Sequence, residues 1–135
     1  MIIINYSKNW QMSIDQLFVS IFDHTEFPYY EKTIIDHNSI LAIDGNRLVG
    51  FLLLSPTPND IHEYKVSYLA VDEEYRNTGI ATQMLDMVEP TVWLEVLNSN
   101  TEACNFYIKK GFKLHETFVC SDGSQGSIFT LSKTQ

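Results

Sequence analysis

Between Val66 and Leu97 the chain reads as an apolar strand, a short helix and a second apolar strand: "VSYLAV", then "GIATQMLDMVE", then "TVWLEVL". A strand–helix–strand run brings both strands into one sheet as parallel neighbours, because the helix carries the chain back to the end it left. Pro90 stops the helix, and only nine residues separate Ala81 from Thr91. The helix must therefore be short, and the second strand must start directly after the proline.

The other elements fit around this unit. "MIIINY" reads as a strand. "SIDQLFVSIFDH" spaces Ile14, Leu17, Phe18, Ile21 and Phe22 as one helical face, with Ser13 as its N-cap. "PYYEKTIIDH" reads as a second short helix opening at Pro28. "SILAID" and "RLVGFLLLSP" flank a Gly45-Asn46 turn and make a hairpin that ends at Pro56 and Pro58. "HEYKVSYLAV" is the next strand. "NTEACNFYIKK" is a helix with a capping residue before it and Gly111 where a C-cap glycine belongs. "FKLHETFV" and "GSIFTL" close the chain as an antiparallel pair. The order β-α-α-β-β-β-α-β-α-β-β predicts an α/β (mixed α+β) fold, with a mixed, mostly antiparallel central sheet and helices on both faces. The crossovers of the second half predict neighbouring parallel strands. Without a repeat, linker or low-complexity tract, residues 1–135 read as a single domain.

Composition narrows the function. Hydrophobic residues make up 44% and charged residues 19%, a globular balance. The longest apolar run, "LVGFLLL", is too short to span a bilayer, and "MIIINYSKNW" lacks the form of a secretion signal. Cys104 and Cys120 then read as reduced thiols in a cytoplasmic protein. A net charge of −8 argues against a nucleic-acid binder. It suits a cationic substrate or basic partner, and equally suits solubility alone. His24, His37, His62 and His115 stand apart, so no metal is expected.

The loop "YRNTGIATQML" carries the chemistry. A helix's first turn offers unpaired N–H groups and the positive end of its dipole, which attract anions. Gly79 has no Cβ and Ala81 only a methyl, Arg76 is a cationic fork, and Thr78 and Thr82 bring hydroxyls. The parts favour a diphosphate, although no Walker lysine or glycine triplet is present and a plain turn would use similar residues.

Leu69 and Val71, then Arg76, Gly79 and Ala81, then Leu94 to Val96, Asn100, Ala103, Tyr107 and Gly111-Phe112 together closely resemble the GCN5-related N-acetyltransferase (GNAT) superfamily. Half the chain carries the resemblance in detail. It implies acetyl-CoA as co-substrate. The pyrophosphate would lie on Arg76, Asn77, Thr78, Gly79, Ile80, Ala81 and Thr82, and the pantetheine arm along the main chain of Leu69, Ala70 and Val71. Asn100, Ala103 and Phe106 would line the arm's far side, unless they only cap and pack their helix.

An amine attacks a thioester only when neutral, so a base must take its proton, and the departing thiolate gains from an acid. The resemblance implies Tyr107 as that acid; the alternative is a half-buried tyrosine closing the core. Glu95, on the strand face opposite Leu94 and Val96, matches the water-mediated base of ribosomal-protein N-terminal acetyltransferases. Glu63 is the other candidate, and an exposed carboxylate without a role is the alternative for both. Cys104 has no histidine near it in sequence and is discounted as a nucleophile.

The acceptor is expected to be a primary amine: a small cationic amine, a polyamine or a peptide amine. Substrate recognition falls mainly to residues 22–38 and to "SPTPNDIHEY", since the chain is small for the superfamily. Phe27, Tyr29 and Tyr30, with Asp23, Glu26, Glu31 and Asp36, suit an ammonium-bearing chain there, or else simply pack that segment. The enzyme is expected to be a monomer or homodimer with no nucleic-acid or membrane partner. The rival reading is a non-catalytic module that senses acyl-CoA or binds a protein.

Overall fold

The computed structural model describes residues 1–22, 35–57, 60–89 and 91–132. Its strands are β1 (Ile2–Asn5), β2 (Ile40–Asp44), β3 (Arg47–Thr57), β4 (Asp60–Val71), β5 (Thr91–Leu97), β6 (Lys113–Val119) and β7 (Gln125–Leu131). Its helices are α1 (Gln11–Ile21), α2 (Ile80–Met87) and α3 (Thr101–Lys109). The helix expected at Pro28 falls outside the described residues, as do Asp23, Glu26, Phe27, Tyr29, Tyr30 and Glu31.

The sheet runs β1-β2-β3-β4-β5-β7-β6. β4 and β5 are parallel, pairing Glu63 with Thr91, Tyr64 with Val92 and Lys65 with Trp93. The pairs β1–β2, β2–β3, β5–β7 and β6–β7 are antiparallel. This is the expected mixed, mostly antiparallel sheet. α2 has the expected short length, and β5 starts at Thr91 as the proline required.

One topological expectation fails. The crossover through α3 does not make β5 and β6 neighbours, because β7 lies between them. Burial gives the reason. β7 places Gly126, Ser127 and Phe129 in the interior, whereas β6 is exposed at every residue except the half-buried Phe118. The more apolar strand takes the inner position and the polar one the edge.

The chain divides into two compact units, residues 1–55 with 66–89, and residues 56–65 with 90–135. In the first, β2 and the first half of β3 are buried in consecutive positions, so both faces are covered. On one face Ile14, Leu17 and Phe18 of α1 pack against Leu41, Ile43, Leu48, Phe51 and Leu53. On the other, a Cβ at Gly50 would sit 3.2 Å from Met84 Cε and 3.4 Å from Ile80 Cγ2 of α2. A bulge at Val49 keeps Leu48 on the α1 face, since Ala42 pairs with Gly50 and Ile43 with Leu48. Gly45 takes φ 63° in the two-residue turn between Asp44 and Arg47.

α1 begins earlier than expected, and Ser13 does not cap it. A 3-10 turn at Lys8–Trp10 precedes the helix, with Ser7 Oγ accepting from the Asn9 N–H at 3.3 Å. Gln11 fixes the start. Its Oε1 accepts from the Tyr6 hydroxyl at 2.7 Å, and its Nε2 donates to Asp15 Oδ1 at 3.0 Å.

In the second unit Val92, Leu94 and Val96 of β5, with Phe112 and Phe129, form the buried face. Gly111, at φ 98°, ends α3 as expected. Its N–H donates to Ile108 O at 3.0 Å, and the Phe112 N–H to Tyr107 O at 3.0 Å. This is a Schellman pattern, with the Tyr107 and Phe112 rings in contact at 5.3 Å.

Gly50 is the point at which α2 approaches the sheet. Gly50→Val should overpack it against Ile80 and Met84 and cost about 1–3 kcal/mol. Denaturant unfolding should show a lower midpoint at unchanged slope.

Candidate functional site

In the first unit, β4 leaves the sheet at Val71 and turns through a 3-10 turn, Glu73–Tyr75, into the start of α2. Asp72 caps the turn, its Oδ1 accepting from the Glu74 N–H at 3.0 Å. Arg76 is extended, Asn77 takes φ 63° and Gly79 takes φ 85°. Two left-handed residues so close together reverse the chain sharply and set the entry of α2.

The turn is clamped onto the β2–β3 hairpin by residues that sequence reading missed. Arg47 Nη2 donates to Asp72 Oδ2 at 2.7 Å and Nη1 to Glu74 Oε2 at 3.2 Å, with its guanidinium 5.6 Å from the centre of the Tyr75 ring. The Tyr75 hydroxyl donates to Asp44 Oδ2 at 2.7 Å. Hydrogen bonds to Glu74 and Asp72 raise the affinity of Arg47 for its proton, and the Asp44 bond does the same for the Tyr75 phenol. These partners lie about 25 to 31 positions apart in sequence, so no local motif announces them.

Arg76, Asn77, Thr78 and Gly79 are exposed, Ala81 and Thr82 are half-buried, and Ile80 is buried against the core. Arg76 Nε donates to Val71 O at 3.2 Å, and the Thr78 hydroxyl donates to Tyr75 O. Thr78 therefore buttresses the loop in addition to any role toward a ligand. Gln83 makes the first helical bond, its N–H to Gly79 O at 3.0 Å, and no side chain caps the helix. A diphosphate fits this seat: uncapped N–H groups, a cationic fork beside them, and open space where a Gly79 Cβ would stand. The structure changes the meaning of Gly79, however. Its positive φ already demands glycine, so Gly79→Val would strain the backbone and could not isolate an effect on a ligand.

Leu69 and Val71 are half-buried, while Ala70 is buried in the core beside Phe51. The Val71 carbonyl is engaged by Arg76.

In the second unit, Asn100 caps α3, its Oδ1 accepting from the Ala103 N–H at 3.2 Å. Ala103, Cys104, Phe106 and Tyr107 form the half-buried face of that helix. Cys104 Sγ donates weakly to Leu97 O at 3.7 Å. Tyr107 lies against Phe106 and Phe112, with ring centres 5.4 and 5.3 Å away, and burial pushes its phenol up to about 12.

Glu95 lies on the face of β5 opposite the buried Leu94 and Val96, as strand alternation required. Its carboxylate is paired with Lys65 Nζ, which sits 5.2 Å from the centre of the Trp93 ring. Trp93 Nε1 donates to Thr57 Oγ1 at 2.7 Å. Sequence reading missed this ion pair, although Lys65 and Glu95 belong to the two strands it expected to be parallel. Glu63 is half-buried and opposite Thr91. Among the described residues no cluster of three histidine, cysteine or acidic residues could hold a metal. No helix among them is long and apolar enough to cross a membrane.

Solved structures share this fold. The chain superposes on ribosomal-protein-S18-alanine N-acetyltransferase from Escherichia coli with a TM-score of 0.77 at 18% identity, covering 99% of this chain and 94% of that one. For an aminoglycoside 6'-N-acetyltransferase complexed with coenzyme A the TM-score is 0.78 at 17% identity, covering 100% and 98%. For Arabidopsis thaliana Naa50 in complex with the bisubstrate analogue CoA-Ac-MVNAL it is 0.75 at 19% identity, covering 97% of each. No curated protein sequence matches the chain. The family model for the acetyltransferase (GNAT) family matches residues 7–112, which include both the β4–α2 loop and α3, and the chain belongs to that family.

Proposed function

We propose that residues 1–135 act as one N-acetyltransferase domain that moves an acetyl group from acetyl-CoA directly to a primary amine. The observation that carries this reading is the uncapped start of α2 behind Arg76 and Gly79. The family match and the structural neighbours bound to coenzyme A or its analogue support it.

When bound, the coenzyme supplies the acetyl thioester. The main-chain N–H groups at residues 77–82 hold its diphosphate, with Arg76 contributing its terminal nitrogens. The main chain of Leu69, Ala70 and Val71 guides the arm. Tyr107 gives a proton to the leaving thiolate, and Glu95 or Glu63, through water, takes one from the amine. Tyr107 suits donation because its raised phenol stays protonated throughout the working pH range. Asn100, Ala103 and Phe106 set the attitude of α3 and through it the position of the Tyr107 hydroxyl. The acceptor is a cationic amine, in keeping with the net charge of −8.

Thiol release from acetyl-CoA with a panel of polyamines, amino acids and peptide N-termini tests the reading. Turnover should favour polycationic amines, and their KM should rise with added salt as screening shortens the reach of the surface charge. Coenzyme binding without release for any amine would favour the non-catalytic module instead.

Arg76→Ala should raise the Kd for acetyl-CoA at least tenfold, about 1.4 kcal/mol. Because Arg76 is exposed, the melting temperature should hardly move. Calorimetric titration with a parallel melt checks both.

Tyr107→Phe should fold, bind acetyl-CoA as before and lose about 10²–10⁴-fold in kcat. The pH dependence has a definite sign. The folded enzyme holds the Tyr107 proton up to about 12, against about 10 for a free phenol. Stability from this group is thus intact below about pH 10 and declines as pH rises through the folded value. The parent's kcat/KM should accordingly show no Tyr107 limb below about pH 11. A phenol-dependent limb near neutral pH, absent from the variant, would contradict this assignment.

A further inference from the structure

Strand pairing in the second unit lays out one face of its sheet, because residues directly opposite each other share a face. Lys65 stands beside Trp93, and Trp93 opposite Thr130. In the next row Ile128 of β7 lies between Glu95 of β5 and Glu116 of β6. Beyond it Gly126 lies between Leu97 and Phe118. Val92, Leu94 and Val96 alternate with the β5 members of these rows and are buried, so the rows occupy the other face. Glu116 owes its place to a bulge at His115, where the register shifts between Leu114 and Glu116. Regular pairing onward from Lys113 and Leu114 would set His115 opposite Ile128 and turn Glu116 to the buried side. The extra residue presents a carboxylate there instead.

This face already carries an ammonium group. Lys65 Nζ is paired with the Glu95 carboxylate and lies 5.2 Å from the centre of the Trp93 ring. A 2.7 Å bond to Thr57 holds that ring in place. Glu116 is exposed and, among the described residues, in no ion pair. Two strand spacings, about 10 Å, separate the backbones at Glu95 and Glu116. The floor between and beside them is apolar: Ile128 is half-buried, and the Phe118 ring covers Gly126 in the space a Cβ would take. We infer that this face binds an alkyl chain bearing two ammonium groups, a diamine or polyamine, laid across β7. One ammonium sits at Glu95 and Trp93, the other at Glu116, and the methylenes lie on Ile128. Lys65 is then a resident competitor for the first seat. Such binding uses only the strands of the second unit and requires no acetyl transfer; that the bound chain is the acceptor rests on the acetyltransferase reading.

Calorimetric titration at low salt, without coenzyme, compares hexamethylenediamine with hexylamine, which differ only in the second ammonium. The diamine should bind about three- to fivefold more tightly, the worth of one exposed ion pair. Glu116→Gln, at an exposed position, should abolish that preference and leave hexylamine unaffected. Glu102→Gln, an exposed carboxylate on α3, should leave the preference intact, which separates this seat from diffuse attraction to an acidic protein. Lys65→Met keeps an apolar stem beside Trp93, frees Glu95, and should tighten both amines about threefold. Equal affinity for the two amines, a preference that survives Glu116→Gln, or no tightening in Lys65→Met overturns this inference. If such protein still releases thiol with other amines, the acetyltransferase reading stands without it. Diamine binding that obeys all three variants, with no thiol release for any amine, keeps the face and defeats that reading.

Discussion

The exit of β4 is the constraint on which the rest depends. Within a few residues the backbone leaves a strand, makes a 3-10 turn, passes twice through the left-handed region at Asn77 and Gly79, and starts α2. Such a path is costly for L-residues unless the surroundings over-determine it. Here they do. Asp72 caps the turn from within, Arg47 grips it through two carboxylates, and Tyr75 ties it to Asp44 on β2. The N-terminus of α2 is held by a frame that draws on the β2–β3 hairpin as well as on the loop itself.

That frame in turn needs α2 close to the sheet. Only Gly50 lets Ile80 and Met84 settle on β3, and the bulge at Val49 turns that residue's carbonyl to the Asp72 N–H at 2.8 Å. A local irregularity in β3 therefore does two things. It keeps Leu48 in register with the α1 face, and it anchors the first residue of the loop. Apolar packing and loop geometry are coupled through one extra residue in a strand.

Sequence could show the parts that repeat or punctuate. The crossover from β4 through α2 to β5, the hairpin at Gly45 and the C-cap at Gly111 follow from spacing and from glycine chemistry, and the structure has each. The fold class and the turn from β4 into α2 were legible for that reason. Neither the Ser7-capped turn before α1 nor the insertion of β7 between β5 and β6 was legible. The first depends on Gln11 bonding Tyr6 and Asp15, the second on comparing the burial of two strands. The ion pairs of Arg47 and Lys65 were invisible because their partners, Asp72 and Glu95, lie 25 and 30 positions away. Periodicity reports which face a residue occupies, and says nothing of whom a long cation reaches from that face.

The raised phenol of Tyr107 bears on how the proposed acid can work. A phenol raised by burial to about 12, facing a thiolate whose free thiol sits near 8.5, would transfer its proton uphill. An acid so mismatched in water would gain little. The burial that raises the phenol, however, penalises any anion brought into the same surroundings, and a thiolate shielded from water rises with it. The two values draw together only when the sulfur shares the apolar environment of Tyr107, Phe106 and Phe112. Proton donation is then tied to the presence of the leaving group, and the unoccupied enzyme keeps its phenol neutral and unreactive toward solvent. What would fit Tyr107 to the proposed role is thus the burial of its phenol rather than an acid strength tuned in isolation, and the Schellman closure at Gly111, with Phe112 against its ring, would then serve that chemistry as well as the fold.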